Sequence, residues 1–417
     1  MTALPDRDLP VISASQLLLR QLNSTAVLQA VRAATAPQRV ADLAAATGLS
    51  RPTVDAVVSG LVNQGWLETD ATTTAAPRNP GRPARRYGFH AAAGHVAGVD
   101  VGAHSVSAAI TDLAGKTVAK GRTRTSPSLP TGGRMKAITA LLSSLLTQAH
   151  LQPSQLRCLT MGTLGVVDPV KRRIIISPGL GGWSEFDAAG ALQAALGCPV
   201  LLENDANLAA EAERWRGVAH GCDSVMVLLL GERLGAGIIS GGVLLRGHHG
   251  AAGELGYVTS GSSRAPGRET GMGPLESRVN ANALVTLTRE RLETAKHSLL
   301  DGLVNGDPTK INPQVIGQAA RAGDPTARQV VEEICARLAE GIAPSLLTLD
   351  PELLIVGGGM SGVGDLLKTT LESQLATLVM FPPRVQLSTL GDEAVVTGAI
   401  RQSLDYVERR IIKNIIA

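Results

Sequence analysis

The sequence predicts an α/β chain in two parts: a winged helix-turn-helix over residues 1–90, then a longer region of strands alternating with helices. Three observations carry this. The run Gly48-Leu49-Ser50-Arg51-Pro52-Thr53 joins two segments of helical apolar spacing. From His95 onward, short apolar runs alternate with Ala-rich segments and Gly turns, the pattern of an α/β architecture. Between the two parts, residues 71–90 read as a loop with a basic segment.

The bulk numbers narrow the class. A chain of 417 residues, 44% of them hydrophobic, is ample for packed cores and for about three domains. The formal net charge is only +3, so any basic surface for nucleic acid has to be local. Aromatics at 2% argue against a single-strand-binding face, which needs rings for base stacking. Cys158, Cys198, Cys222 and Cys335 are scattered without the spacing of a metal clip or disulfide framework, and read as small hydrophobes. The N-terminal MTALPDRDLP has no apolar run behind a basic start, and no stretch approaches a membrane span. A cytoplasmic protein is expected.

In the first part, NSTAVLQAVRAA has helical apolar spacing, and Val40, Leu43 and Ala44 share a face of a second, short helix. Gly48 suits the left-handed turn after it. Ser50 suits an N-cap, and Pro52 falls in the first turn, where a missing N–H costs nothing. Val54, Val57, Val58, Leu61 and Val62 then form one buried stripe. Ser50, Arg51, Pro52, Thr53 and Asp55 lie at the N-terminal end of this helix, where a recognition helix meets base edges in the major groove. Asp55 would be repelled by phosphates and is suited to accept from a cytosine amino group. Arg78, Arg82, Arg85 and Arg86 fall within nine residues free of acids, and Gly81-Arg82-Pro83 suits an extended arm in a minor groove. One such unit reads one half-site, so a homodimer or higher even oligomer on an operator duplex is expected.

The second part carries five motifs. A strand ends in Asp100-Val101-Gly102 and a second returns to Asp112 and Gly115. PVLLE is followed by Asn204-Asp205-Ala206-Asn207 at a helix start; an amide that both donates and accepts, beside a carboxylate, suits a polyhydroxylated ligand. The run Gly231-Glu232-Arg233-Leu234-Gly235-Ala236-Gly237 reads as a second strand–turn–strand. Gly253-Glu254-Leu255-Gly256-Tyr257 precedes PGRETGMGPLES. Gly357-Gly358-Gly359 follows the buried strand LLIV. His248 and His249 read as paired surface histidines.

On these motifs the chain from about Asn23 to Gln402 resembles the winged-helix regulators of the ROK family, the repressors, open reading frames and sugar kinases. The resemblance implies an actin/hexokinase-like domain of two lobes around a cleft: residues 91–205, completed by 390–417, and residues 206–389. It implies sugar contacts at Asn204, Asp205, Glu254, Tyr257 and Glu276, with Asp205 at the position of the kinases' general base. It places Asp100, Gly102, Gly231, Gly235 and Gly358 along the nucleotide path.

Two departures from the family pattern stand out. Where the kinases have Gly-Thr-Gly, Glu232 and Arg233 intrude. Where the family holds a structural zinc with one His and three Cys, Tyr257, Gly267, Glu269 and Pro274 stand instead, so neither zinc nor another cofactor is expected. The sequence thus favours a DNA-binding regulator, most simply a repressor of sugar-metabolism genes, that senses a sugar or sugar derivative through a non-catalytic kinase fold. An active ATP-dependent sugar kinase with a fused helix-turn-helix is the alternative.

Overall fold

The structure is a computed structural model and describes residues 14–70, 85–259, 271–295 and 297–416. The chain forms two compact units, one of residues 1–96, 111–116 and 404–417 and one of residues 97–110 and 117–403.

In the first unit, α1 (Ala14–Ala33), β1 (Gln38–Arg39), α2 (Val40–Thr47), α3 (Arg51–Asn63), β2 (Leu67–Asp70) and β3 (Arg86–Phe89) make three helices and a three-stranded antiparallel wing of order β1-β3-β2. The helix junction follows its residues. Gly48 adopts the left-handed conformation with φ +69°, a turn that β-carbons disfavour, and donates to the Ala44 carbonyl. The Ser50 hydroxyl accepts from the Thr53 N–H and caps α3. Val54, Val57, Val58 and Leu61 are buried against Val27, Leu28, Val31 and Leu43, while Val62 is half-buried at the margin of the stripe. Arg32, at the end of α1, donates to Glu408 at 2.6 Å and to the Leu113 carbonyl at 3.1 Å, with its guanidinium over the Phe89 ring. One cation thereby ties four segments of the unit together.

The second unit holds two five-stranded sheets. In the first, β4 (His95–Val101), β5 (Ser105–Asp112), β6 (Thr117–Arg124), β7 (Leu156–Thr163) and β10 (Val200–Asn204) run in the order β10-β7-β4-β5-β6, with α4 (Thr131–Gln148) and α5 (Ala188–Leu196) packed on it. A small hairpin, β8 (Val166–Asp168) and β9 (Arg173–Ile176), stands beside it. In the second, β11 (Val225–Leu230), β12 (Leu234–Ser240), β13 (Val243–Leu244), β14 (Leu353–Gly357) and β15 (Arg384–Leu387) run in the order β13-β12-β11-β14-β15. The run VMVLLL of β11 and the wholly buried β14 pair in parallel at its centre, which is why both are apolar without alternation.

Helix α6 (Asp205–Arg216) follows β10. After β13 come α7 (Glu276–Val279), α8 (Ala281–Thr294), α9 (Leu299–Leu303), α10 (Pro313–Arg321) and α11 (Pro325–Leu349), and α12 (Asp365–Leu378) lies between β14 and β15. They enclose a second core around Ile334, Leu338 and Leu371. The last helix, α13 (Ala394–Ile416), starts against the first sheet: Ser403 shares a hydroxyl hydrogen bond with Thr160 and donates to the Ala97 carbonyl. Cys158, Cys198 and Cys335 are buried and Cys222 is half-buried; all four are free thiols.

Candidate functional site

The fold joins the Asp100–Ser105 turn, the Asn204–Asp205 helix start, the Gly231–Gly235 turn and the segment carrying Glu254 and Tyr257 around one cleft of about 300 Å³, inside the second unit. Gly358 lies on its rim. The motifs spaced along the sequence are therefore neighbours in space.

Asn204 caps α6, accepting from the Asn207 N–H at 3.0 Å, and its amide N–H donates to the Gly165 carbonyl at 2.9 Å. The Asn204 side chain also hydrogen-bonds the Asp205 carboxyl. Asp205, the first residue of α6, accepts from the Ala206 N–H. Burial pushes its carboxyl up to about 7, the neighbouring Asp100 adds to this, and the Ala206 hydrogen bond opposes it. Glu254 is also pushed up to about 7, by burial first and then by Asp205 and Glu276, against the pull of Arg233. Asp100 rises to about 7 by burial, with Arg122 opposing. The Tyr257 phenol is raised by burial and by Glu254. Near neutral pH, Asp205 and Glu254 are thus poised to donate as well as accept, which suits the two-way hydrogen bonding of sugar hydroxyls.

Glu276 is only 4% exposed and is largely engaged by the protein itself. One oxygen accepts from the Leu234 N–H at 2.8 Å, the other from the Gly273 N–H at 3.1 Å and from Arg233 at 3.4 Å. The Arg233 guanidinium also donates to the Gly271 carbonyl and lies against Gly179. Glu276 therefore fixes the Gly231–Gly235 turn.

Four contributors escaped sequence reasoning, each because at least one of its partners lies 20 or more residues away in the chain. His104 meets Glu232 at 2.9 Å, linking the two hairpin turns on the cleft. Arg134, 1% exposed on α4, holds the Gly102 and Ser126 carbonyls. Buried Glu203 accepts from Arg246 at 2.6 Å and from Asn207 at 3.0 Å, tying the segment that leads to Glu254 to the strand that carries Asn204. Trp183, 1% exposed, donates to Thr163.

The glycines on the nucleotide path have packing duties. A β-carbon on Gly235 would stand 3.1 Å from that of Ala206, and one on Gly237 would collide with the Ala206 carbonyl. Gly358 has φ +78°, and a β-carbon there would meet the Leu230 carbonyl at 2.7 Å.

Tyr257 and Pro274 carry neither thiolate nor imidazole, so neither fits the zinc of the family; Gly267 and Glu269 lie outside the described residues. Among the described residues, no three His, Cys, Asp or Glu are grouped to hold a metal. His248 and His249 are exposed and meet edge to face, with ring centroids 4.6 Å apart.

In the first unit, Arg51, Pro52 and Asp55 are exposed at the start of α3, and Thr53 is half-buried, its hydroxyl 2.8 Å from that of Ser50. Arg85 is exposed before β3; Arg86 is half-buried in β3 and donates to the Pro37 carbonyl, a structural engagement that its position in a basic run did not reveal. Arg78 and Arg82 lie outside the described residues. Among the described residues, no helix is long and apolar enough to cross a membrane.

Fold and site define a two-part protein, an N-terminal helix-turn-helix followed by a hexokinase-like α/β domain with an acidic cleft. The ROK family model matches residues 96–403 and the IclR helix-turn-helix domain model matches residues 23–71. The chain belongs to the ROK family. It is 30% identical over 324 residues to a glucokinase of Halalkalibacterium halodurans, covering 75% of this chain and 96% of that one. It is 23% identical over 387 residues to a xylose repressor of Caldicellulosiruptor bescii, covering 92% and 95% of the two chains. Its fold is similar to that of a ROK family transcriptional regulator, a homologue of the E. coli MLC protein, with TM-score 0.78, 20% identity and coverage of 95% and 99%. A glucokinase from Streptomyces griseus in complex with glucose and AMPPNP matches with TM-score 0.64, 27% identity and coverage of 74% and 99%. A helix-turn-helix joined to a ROK domain, with a repressor matching over nearly its full length, supports a sugar-responsive regulator; the glucokinase relatives keep phosphoryl transfer as the alternative.

Proposed function

We propose that this protein is a cytoplasmic repressor that binds an operator duplex as a homodimer or higher even oligomer. On this reading it senses a sugar through a cleft that does not transfer phosphate. The observation that carries the proposal is the His104–Glu232 contact between the two hairpin turns, beside an Arg233 committed to Glu276. Phosphoryl transfer rests on positioning the phosphates and stabilising their charge. Here a carboxylate occupies the second turn, and a neighbouring side chain engages it from the first. The DNA-binding reading rests on Ser50-capped α3, whose exposed Arg51 and Asp55 suit base edges, with Arg82 and Arg85 for phosphates and the minor groove. The cleft residues Asn204, Asp205, Glu254 and Tyr257 would hold the sugar, with Glu276 fixing the wall behind them.

The kinase reading has one observation in its favour: Asp205, at the helix start on the cleft, has its pKa raised to about 7, a value suited to a general base. Two measurements separate the readings. Calorimetry against hexoses, pentoses, amino sugars and their phosphates should find a binder, lost in Asp205→Ala. A coupled ADP-release assay with that binder should stay at background. Turnover that vanished in Asp205→Ala would establish the kinase instead.

A further inference from the structure

Helix α1 is apolar on two faces. Val27, Leu28 and Val31 lie on the buried one, inside the first unit. Leu18, Leu19 and Leu22 lie on the other and are 56%, 58% and 58% exposed. Surface leucines scattered singly need no explanation, but three within two turns of one helix make a contiguous patch. Further along the same face the leucines give way to alanines. Ala26, Ala30, Ala33 and Ala34 line an open groove of about 760 Å³, whose far wall holds Leu43 and Ala46 of α2. One end of the face projects and the other recedes.

The two ends fit each other when one helix is reversed. At 3.6 residues per turn, Leu18, Leu22, Ala26, Gln29 and Ala33 fall within about 80° of one another, with Leu19 and Ala30 at the edge of the stripe. A two-fold axis at Ala26 sets Leu22 opposite Ala30 of a second copy, Leu19 opposite Ala33 and Leu18 opposite Ala34. Each projecting side chain meets a small one, and symmetry supplies the reverse contacts, as an isologous interface demands. Charge agrees with shape. Asp42 of α2 lines the groove and is exposed, and Arg20, exposed beside the leucines, is the cation that a reversed copy brings to that end.

Building on the even-oligomer reading, we propose that this face is where two DNA-binding units pair. Helix α1 packs antiparallel on α1 of a second copy, each setting its leucines into the other's groove. The pairing places a two-fold axis within the helix-turn-helix unit itself, the symmetry that a palindromic operator matches. Alanine at the crossing lets the helix axes approach to about 8 Å, the near end of the range for packed helices.

Cross-linking and sedimentation of the full chain test this, in a Cys222→Ser background because Cys158, Cys198 and Cys335 are buried. Ala26 lies on the proposed axis, so Ala26→Cys should give a disulfide-linked dimer with diamide. Gln21→Cys, exposed on the flank of α1 away from the axis, should not. Leu22→Ala takes about three methylene-sized groups from each copy; at about fourfold each, losing half of the roughly six loosens association about 60-fold. Ala33→Arg blocks the groove from its other end and should loosen association as much. Both positions are exposed, and unchanged thermal midpoints exclude unfolding as the cause. An even oligomer that gives no link through Ala26→Cys, or that is indifferent to both substitutions, overturns the proposal while leaving the even-oligomer reading standing. The groove then belongs to an occupant other than a second copy. A monomer at micromolar concentration overturns both.

Discussion

Asp205→Asn should make the protein more stable while costing it its ligand. Asp205 and Glu254 line one cleft and Asp100 acts on Asp205 from beside it, each carboxyl raised to about 7. A carboxyl whose pKa is higher in the folded than in the unfolded chain favours folding only while protonated. Stability is therefore lost as pH rises from near 4, the unfolded value, and levels off above about 7. For Asp205 alone the rise from 3.8 to about 7, at about 1.4 kcal/mol per unit, bounds the penalty at about 4 kcal/mol. The three carboxyls share their repulsion, and the ionised Asp205 gains something from the N-terminus of α6, so about 1–3 kcal/mol is the realistic release. Asn keeps the oxygen that accepts from the Ala206 N–H and leaves the local geometry intact. Thermal unfolding of wild type and variant at pH 5 and pH 8 reads this directly. The variant's midpoint should exceed that of the wild type at pH 8 by about 2–6 °C, with a smaller gap at pH 5. A variant less stable at pH 8, or a gap independent of pH, would refute the idea that the cleft stores carboxylate repulsion.

Arg246→Met should destabilise the protein by about 2–4 kcal/mol in urea unfolding, because Glu203, 1% exposed, would lose its cationic partner; an effect below 0.5 kcal/mol, the scale of ordinary surface changes, would count against a clamp. Arg51→Ala should change base preference in a binding-site selection, whereas Arg82→Ala should weaken binding across sequences and reduce the salt slope by about one; operator binding undiminished in a chain lacking residues 1–90 would remove the DNA-binding assignment. Ser50→Ala should cost about 1 kcal/mol through the lost α3 cap, read in the same urea titration. Metal analysis of the purified protein should find no stoichiometric zinc, and finding it would send the search to ligands other than Tyr257 and Pro274.

The features legible in the sequence were local ones. Gly48, Ser50 and Pro52 announce their turn because cap and left-handed conformation are set within a few residues. Val54, Val57, Val58 and Leu61 announce a buried face because a helix repeats every 3.6 residues. The placement of Asn204 and Asp205 at a strand-to-helix junction was readable for the same reason. What spacing could not show was how side chains are already engaged. Glu276 looks like a free acceptor until Leu234, Gly273 and Arg233 are seen on it. Arg86 looks like part of a basic arm until β3 pairs it opposite Arg39 and its guanidinium reaches Pro37. His104 and Glu232 are 128 residues apart, and no local pattern announces their meeting.

The glycines of β12 and of the turn after β14 bear on how such chains are recognised. Gly235, Gly237 and Gly358 are required by the Ala206 and Leu230 backbones and side chains around them. Packing of α6 against β12 would fail with any larger residue, whether or not a nucleotide ever enters the cleft. A glycine signature of this kind is kept by architecture and does not by itself report whether phosphate is transferred. Genome surveys that infer kinase activity from it would be reading packing rather than chemistry. The informative positions are exposed ones on the cleft, such as 104 and 232, whose side chains the hydrophobic core does not dictate.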